Sequence, residues 1–406
     1  MPAHMKWVPW AEYRNSRGGG IRIDSKCRWV AIGQGRGRLR VHRLLPTYEL
    51  GPASLYGGDQ AFYVFSYAWV GDWLVYSGAR RIAPELLGDP RDVDTPSLWP
   101  TEYLAKEGRC IAWNPETGEQ VELARKAFSR LLADTDEGRV VGFYELPSPP
   151  DEAENKHTAA ILTVPEGRTV ATFMFANGEP PDGWTPPRPL GWDSAAGGFL
   201  AVGSVKGLAT PASEFKTDVA VPIFVNADGQ VTDLRSPDRE QVRLLLSREV
   251  PAPTLVDSGR HMAALVRTAR GTYGVAVYSP EKREAWYPFS VRLPQPKELA
   301  EYGDMWGFLV CTPDGRGALF QRELERKPSE DPEATPQPVY HYDFASHECR
   351  LVCELTEVRQ VFEWLPGPIL PAAVAAQGMT LFASRQDLGL IVSYDGSPEP
   401  SQTPAE

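Results

Sequence analysis

Short turns rich in Asp, Ser and Gly recur along this chain, each followed by an apolar strand, at intervals of roughly 50 to 65 residues, and such a long-period repeat constrains a fold more tightly than composition does. The first four are Asp24-Ser25-Lys26 before Trp29-Val30-Ala31, Gly71-Asp72 before Trp73-Leu74-Val75, Asp136-Glu137-Gly138 before Val140-Val141, and Asp193-Ser194 to Gly198 before Phe199-Leu200-Ala201. Asp257-Ser258-Gly259 then precedes Met262-Ala263-Ala264, Pro313-Asp314-Gly315 precedes Ala318-Leu319-Phe320, and Gln377-Gly378 precedes Thr380-Leu381-Phe382. A second turn series falls inside these intervals: Asn114-Pro115-Glu116-Thr117-Gly118, Pro165-Glu166-Gly167, Asn226-Ala227-Asp228-Gly229, Ser279-Pro280-Glu281-Lys282 and Ala345-Ser346-His347. Gly and Pro supply the φ angles that tight hairpins need. Long helical periodicity is rare, and most apolar runs are short and bounded by turn residues, which is a strand signature.

Paired hairpins in each repeat make a blade of antiparallel strands A to D, and the repeats together predict an all-β chain, a seven-bladed β-propeller of four-stranded blades. Cys311-Thr312-Pro313-Asp314-Gly315-Arg316 followed by Ala318-Leu319-Phe320 resembles the TolB-type propeller repeat, a relative of the WD-repeat. Asp257-Ser258-Gly259-Arg260-His261-Met262-Ala263 is a second copy. The resemblance runs from Ile21 to Asp395 and implies a fold without a chemistry. The Gly-His and Trp-Asp marks of the WD-repeat are missing. The last repeat supplies strands at Phe362-Glu363-Trp364, Thr380-Leu381-Phe382 and Leu390-Ile391-Val392 and lacks a fourth. The segment Lys6-Trp7-Val8-Pro9-Trp10-Ala11 is expected to provide it as the outer strand, closing the ring, since an open ring would leave long strand edges unpaired. Pro9 is tolerated on an outermost strand. The expected organisation is a single propeller domain over 6–395, with 1–5 read as a tag or disordered N-terminus and 396–406 as a disordered tail.

The net charge of −11 argues against a nucleic-acid partner, because an acidic surface repels phosphate backbones. No apolar run approaches the roughly 18 residues of a membrane span. Cys27, Cys110, Cys311, Cys349 and Cys353 have no Cys-x-x-Cys spacing, and two pleats separate Cys349 from Cys353 if both lie on one strand, which does not suit a disulfide. Reduced cysteines place the chain in the cytoplasm, or in the periplasm or outside the cell should a leader once have preceded His4-Met5. Scarce Asn, 38 Pro and an excess of Arg over Lys fit a heat-adapted, bacterial source, and high genomic GC content would produce part of the same bias.

In a propeller the A–B and C–D turns share one face and the B–C and D–A loops share the other. The B–C connections at 77–108, 147–156, 206–216 and 326–337 and the D–A connections at 44–60, 178–188 and 291–303 are long, so one face is predicted to carry the used loops. The Pro/Glu-rich stretches 147–156 and 327–337 read as disordered. The insertion 80–103 is different: Leu86, Leu87, Leu98, Trp99 and Tyr103 lie among Arg80, Arg81, Arg91, Asp92 and Asp94. It is expected to pack as a small lid, covering a blade edge or contacting a ligand. Arg80, Arg81, Trp99 and Tyr103 are its candidate binding residues. At the channel mouth the A strands are expected to bring Arg22, Tyr63, Arg130, Arg188, Trp306 and Glu363 together. Arg and aromatic side chains suit a small anionic ligand or a peptide carboxylate better than acid–base hydrolysis.

Motifs that name a reaction are missing. His42, His157, His261, His341 and His347 are scattered, and His341, Asp343, His347, Glu348 and Cys349 match no zinc pattern. There is no Gly-x-Ser-x-Gly elbow, no phosphate-binding Gly loop before a helix, and no sialidase Asp-box. No catalytic residue, metal or cofactor is therefore assigned. The reading favoured is a non-catalytic scaffold whose long loops meet a protein or peptide partner. A channel-mouth hydrolase of lactonase or glycosidase type, and a structural subunit of a larger assembly, are the alternatives.

Overall fold

The computed structural model describes residues 4–9, 21–54 without 27, 35, 36, 47 and 48, 62–145 without 135 and 136, 157–174, 184–205 and 219–234 without 227 and 229. Beyond 234 it describes 242–244, 254–255, 262–268, 273–279, 285–288, 305–311, 317–323, 337–343, 345–346, 349–355, 370–375, 380–385 and 388–393. The chain forms two compact units. One comprises Trp10–Asp233 with Ser258–Arg260, and the other Met1–Pro9, Leu234–Asp257 and His261–Glu406.

Strand β1 (His4–Pro9) belongs to the second of these units. The unit that follows it in sequence is built of four-stranded antiparallel sheets in simple up-and-down order. They are β2 (Ile21–Ile23), β3 (Trp29–Gln34), β4 (Arg38–Leu44) and β5 (Leu50–Ser54); β6 (Phe62–Val70), β7 (Trp73–Arg80), β8 (Gly108–Trp113) and β9 (Gln120–Ala124); β10 (Arg130–Asp134), β11 (Arg139–Glu145), β12 (His157–Thr163) and β13 (Thr169–Met174); and β14 (Trp184–Asp193), β15 (Gly198–Val205), β16 (Val219–Asn226) and β17 (Val231–Asp233). Successive first strands lie side by side, β2 against β6, β6 against β10 and β10 against β14.

These strands are apolar in continuous runs because both of their faces are covered. Leu74 and Tyr76 of β7 face the core shared with the sheet before, which holds Trp29, Val41, Trp69 and Trp113. Val75, between them, joins Cys110, Phe128, Leu131 and Val140 in the core shared with the sheet after. Val140 and Val141 divide in the same way, the second packing with Phe143, Trp192, Phe199 and Ile223. Single side chains also stitch neighbouring sheets. Trp69 Nε1 donates to the Arg22 carbonyl at 3.1 Å, Gly33 N to the Tyr67 hydroxyl at 2.8 Å, and Leu131 N to Ser66 Oγ at 2.9 Å.

Among the expected turns, several are headed by an Asx side chain. Asp24 Oδ1 accepts from Arg28 N at 2.6 Å and Trp29 N at 2.7 Å. Asp193 Oδ1 accepts from Ala195 N and Ala196 N, Asn114 Oδ1 from Glu116 N, and Asn226 Oδ1 from Gln230 N. Gly71 and Gly118 close two of them at φ 58° and 77°, a region in which a side chain would be strained. The turns at 257–259, 313–315 and 377–378 lie outside the described residues.

In the other unit, β20 (Met262–Thr268), β21 (Tyr273–Tyr278) and β22 (Ala285–Pro288) form one sheet. Its first lane is split: β18 (Val242–Leu244) and β19 (Thr254–Leu255) both pair with β20. β23 (Met305–Cys311), β24 (Gly317–Glu323), β25 (Gln337–Asp343) and β26 (Cys349–Leu355) form the next. The last runs β1-β29-β28-β27, with β27 (Leu370–Ala375), β28 (Thr380–Arg385) and β29 (Leu388–Ser393). β1 is its outer strand, with Trp7 opposite Leu390. Of the pairing predicted for Lys6–Ala11, Lys6–Pro9 is present and starts earlier, at His4 opposite Ser393, while Trp10 and Ala11 lie outside the described residues.

Several sequence readings are corrected. Residues 77–80, placed in the connection 77–108, end β7 and pair with β6, and Gly108 and Gln337, placed at the ends of connections, begin β8 and β25. Residues 44–60 are not a connection throughout, because β5 lies within them and pairs with β4. Residues 184–188, placed in a connection, begin β14. The lane beside β28 belongs to Leu370–Ala375, whereas the sequence placed it at Phe362–Trp364, which lie outside the described residues. In each case the strand contains Pro or Gly (Gly51-Pro52, Pro186-Pro187, Pro371), which weakens a strand signal read from sequence.

Candidate functional site

The long connection between β7 and β8 is the best-defined feature outside the sheets. Its sequence places Pro84, Pro90 and Pro96 at even spacing, and each opens a 3₁₀ turn: Pro84–Leu86, Pro90–Asp94 and Pro96–Leu98. Proline suits a first helical position because its φ is preset and its missing N–H would have had no partner. Asp89 caps the middle turn, accepting from Arg91 N at 2.9 Å. Helix α1 (Thr101–Glu107) then leads into β8.

These turns carry their own core. Trp99 is 2% exposed and packs with Ala79 and Ile82, against Tyr63, Phe65, Leu87, Val93, Tyr103 and Leu104. Its ring meets Tyr63 at 5.4 Å, Phe65 at 6.1 Å and Tyr103 at 6.0 Å, all edge to face, an arrangement worth about 0.5–1.5 kcal/mol per pair beyond burial. Several polar groups find partners inside the feature. Trp99 Nε1 donates to the Asp92 carbonyl at 3.4 Å, and the Tyr103 hydroxyl to the carbonyls of Arg80 and Arg81 at 3.1 and 3.2 Å. The Tyr63 hydroxyl donates to the Asp94 carbonyl at 3.1 Å. The Arg81 guanidinium pairs with the Asp94 carboxylate and lies 5.7 Å above the Tyr63 ring. Burial pushes the Tyr63 phenol above its ordinary range, the Asp94 charge adds to this, and Arg81 opposes it. Burial also raises Tyr103, helped by Glu107 and opposed by Arg80. Both phenols are thus neutral donors at pH 7, suited to holding structure rather than to accepting a proton.

Tyr63 is further locked from the preceding sheet. Val64 N donates to the Gly37 carbonyl at 2.8 Å, and a side chain at Gly37, where φ is 65°, would run into the Tyr63 ring. The outward surface is different. Leu86 is 59% and Leu98 57% exposed, and the other large apolar side chains as open among the described residues are Val170 and Val231. Arg91 beside them is exposed and pairs with Asp89 at 2.8 Å.

The structure therefore brings together Tyr63, Arg81, Trp99 and Tyr103, with exposed Arg80 at the margin. Trp99, read as a contact residue or a lid residue, is the centre of the packing. Asp94 and Phe65, which complete the cluster, were not singled out as binding residues; the even proline spacing was the available signal that this loop is folded. Of the expected mouth residues, Arg22, Tyr63, Arg130 and Arg188 lie on the first strands of successive sheets in one unit, Arg22 exposed and Arg130 half-buried. Arg188 is opposite Val202. Trp306 belongs to the other unit, opposite Arg322, and Glu363 lies outside the described residues.

A second polar cluster joins the turns of two sheets. Asp72 Oδ1 receives Lys26 Nζ at 2.8 Å and Arg28 Nη2 at 2.6 Å, while Arg28 Nε reaches Asp24 at 3.2 Å. Trp29 Nε1 donates to Glu116 at 3.0 Å. These charges serve one another and clamp the sheets. His42 is buried, its Nδ1 3.1 Å from the Gly51 carbonyl. Among the described residues no group of three or more His, Cys, Asp or Glu is placed to hold a metal ion. Among them, too, no helix is long and apolar enough to cross a membrane.

No protein-family model matches the chain, and no curated protein matches it. Solved structures do. The Cps50 (Swd1) β-propeller domain of Myceliophteria thermophila is 12% identical at a TM-score of 0.46, covering 93% of this chain and 96% of that one. Oligogalacturonate lyase of Vibrio parahaemolyticus is 11% identical at 0.48, covering 98% of each. The β-propeller domain of the trilobed protease of Pyrococcus furiosus is 8% identical at 0.46, covering 98% and 96%. The likeness is one of fold, and no chemistry follows from it.

Proposed function

We propose that this chain is a non-catalytic binding scaffold, a seven-bladed propeller closed by its N-terminal strand, that offers long loops of one face to a protein or peptide partner. The observation that carries the reading is the insertion between β7 and β8. It buries Trp99 in a core of its own and still turns Leu86 and Leu98 outward. A loop that only covered a sheet end would gain by burying those leucines, whereas a docking surface needs apolar groups exposed on a rigid frame. Within one unit Arg22, Arg130 and Arg188, which like Tyr63 lie on the first strands of successive sheets, would favour an anionic group, such as a peptide carboxylate.

Affinity capture from the native source, followed by titration of the purified partner, tests the reading. Leu86→Asp/Leu98→Asp should weaken binding at least about tenfold, the scale of a central apolar contact, with the unfolding transition unchanged. Recovery of this chain alone, or a partner bound equally well by the double variant, would overturn it.

A further inference from the structure

Each described sheet ends in an outer strand with a neighbour on one side, and such edges are usually guarded by charge, proline or shortness. β1 carries Lys6 and Pro9, and β5 carries Pro52. β9 carries Glu122, which pairs with Arg109 and Arg125, and β26 carries Arg350 and Glu354. β17 has three residues including Asp233, and β22 has four and ends at Pro288. β13 is different: its six residues, Thr169 to Met174, include neither a charge nor a proline. Thr169, Val170, Ala171 and Thr172 are exposed, Val170 at 45%. In sequence the uncharged run continues through Phe175 and Ala176. Its Thr, Val and Phe are good strand formers. A register shift at Val170 is the single irregularity, and Ala171 to Met174 stay in register with β12. Bulges of this kind also mark β5, β9 and β26, where charge or proline is present as well, so the bulge does not replace the missing guard.

We propose that the outer edge of β13, which has no strand beside it among the described residues, pairs with β13 of a second copy of this chain, antiparallel and two-fold symmetric, joining two sheets into one. The segment is complementary to itself. With the two-fold axis through Ala171, which then faces its own copy, Val170 faces Thr172 and Thr169 faces Phe173, so no charge opposes its own copy. Arg168, the nearest charge, falls opposite Met174. An isologous contact of this kind closes at two copies and cannot propagate. Its area is small, so the dimer is weak and concentration-dependent. The inference does not rest on the loop reading above, since it uses a different strand on the outer edge of a different sheet.

Sedimentation velocity over a dilution series reaching about 1 mM, a concentration at which even weak pairs associate, tests it alongside hydrogen exchange. The mass should rise toward that of two chains, and the amides of 169–174 should slow in exchange as it does. Thr172→Lys and Val170→Lys, each on an exposed position, should raise the dissociation constant at least tenfold and leave the melting temperature in place. Two lysine variants are used so that misfolding of one does not decide the outcome. A monomer at every concentration overturns the proposal. So does a dimer that neither variant weakens, or whose exchange protection appears on another strand.

Discussion

Asp72 illustrates how much one surface carboxylate can do when it stands between two turns. It accepts from Lys26 and Arg28, and its pKa is held below the ordinary value, first by the Lys26 hydrogen bond; burial, the next influence, opposes this, and Arg28 and the two positive charges restore the lowering. A carboxyl depressed in the folded state stabilises the fold at any pH above its unfolded value, about 3.9, and loses that effect as the pH falls through the lower folded value. Asp72→Asn should therefore lower the unfolding midpoint at pH 7, and the gap from the parent should shrink on acidification below about pH 4. A gap independent of pH would sink the assignment. Asp24 is nearly inaccessible and bonds two backbone N–H groups; Asp24→Ala should cost about 1–3 kcal/mol, the penalty of stranding buried donors, read in denaturant melts. Cys110 sits fully buried among apolar side chains, and burial alone pushes its thiol up. Only thiolates react quickly. Alkylation at pH 8 followed by mass spectrometry should leave Cys110 unmodified in the native protein and modify it after unfolding.

At the scale of elements, the insertion between β7 and β8 behaves as a small folded body. Trp99 is its keystone, touching Tyr63, Phe65 and Tyr103. Truncating a buried Trp costs about 3–5 kcal/mol, more than short 3₁₀ turns can sustain. Trp99→Ala should speed hydrogen exchange through 81–107 while β10 to β13 keep their protection; protection that survives in the insertion would show that the turns hold without it. The aromatic and proline content of this loop was legible in sequence, and so was the expectation that it packs as a small lid. Which leucines turn outward was not, because Leu86, Leu87 and Leu98 look alike in a pattern, and only the chain path separates half-buried Leu87 from its exposed neighbours. Split and proline-bearing strands such as β18, β19 and β14 were also illegible. Their pairing comes from partners far along the chain, and no local period records it.

At the scale of the molecule, the first and last described strands lie in the same sheet. β1 covers β29, whose residues Leu388 to Ser393 carry no charge. Removing residues 1–9 should both lower the melting temperature and expose an unguarded edge, so scanning calorimetry and light scattering should report earlier unfolding and aggregation. An unchanged melting temperature would mean that the pairing contributes nothing. The recurring Asx turns, the apolar runs between them and the need of the last repeat for a fourth strand were all present in the sequence. Each depends on φ preferences and on a period of two, which are properties of neighbouring residues. Tertiary structure alone decided that Trp99 is buried and Leu86 and Leu98 are not, that Lys26 and Arg28 meet Asp72, and that β13 ends its sheet among the described residues. Those facts follow from which distant segments lie side by side, and burial and pairing belong to that arrangement rather than to any residue taken in order.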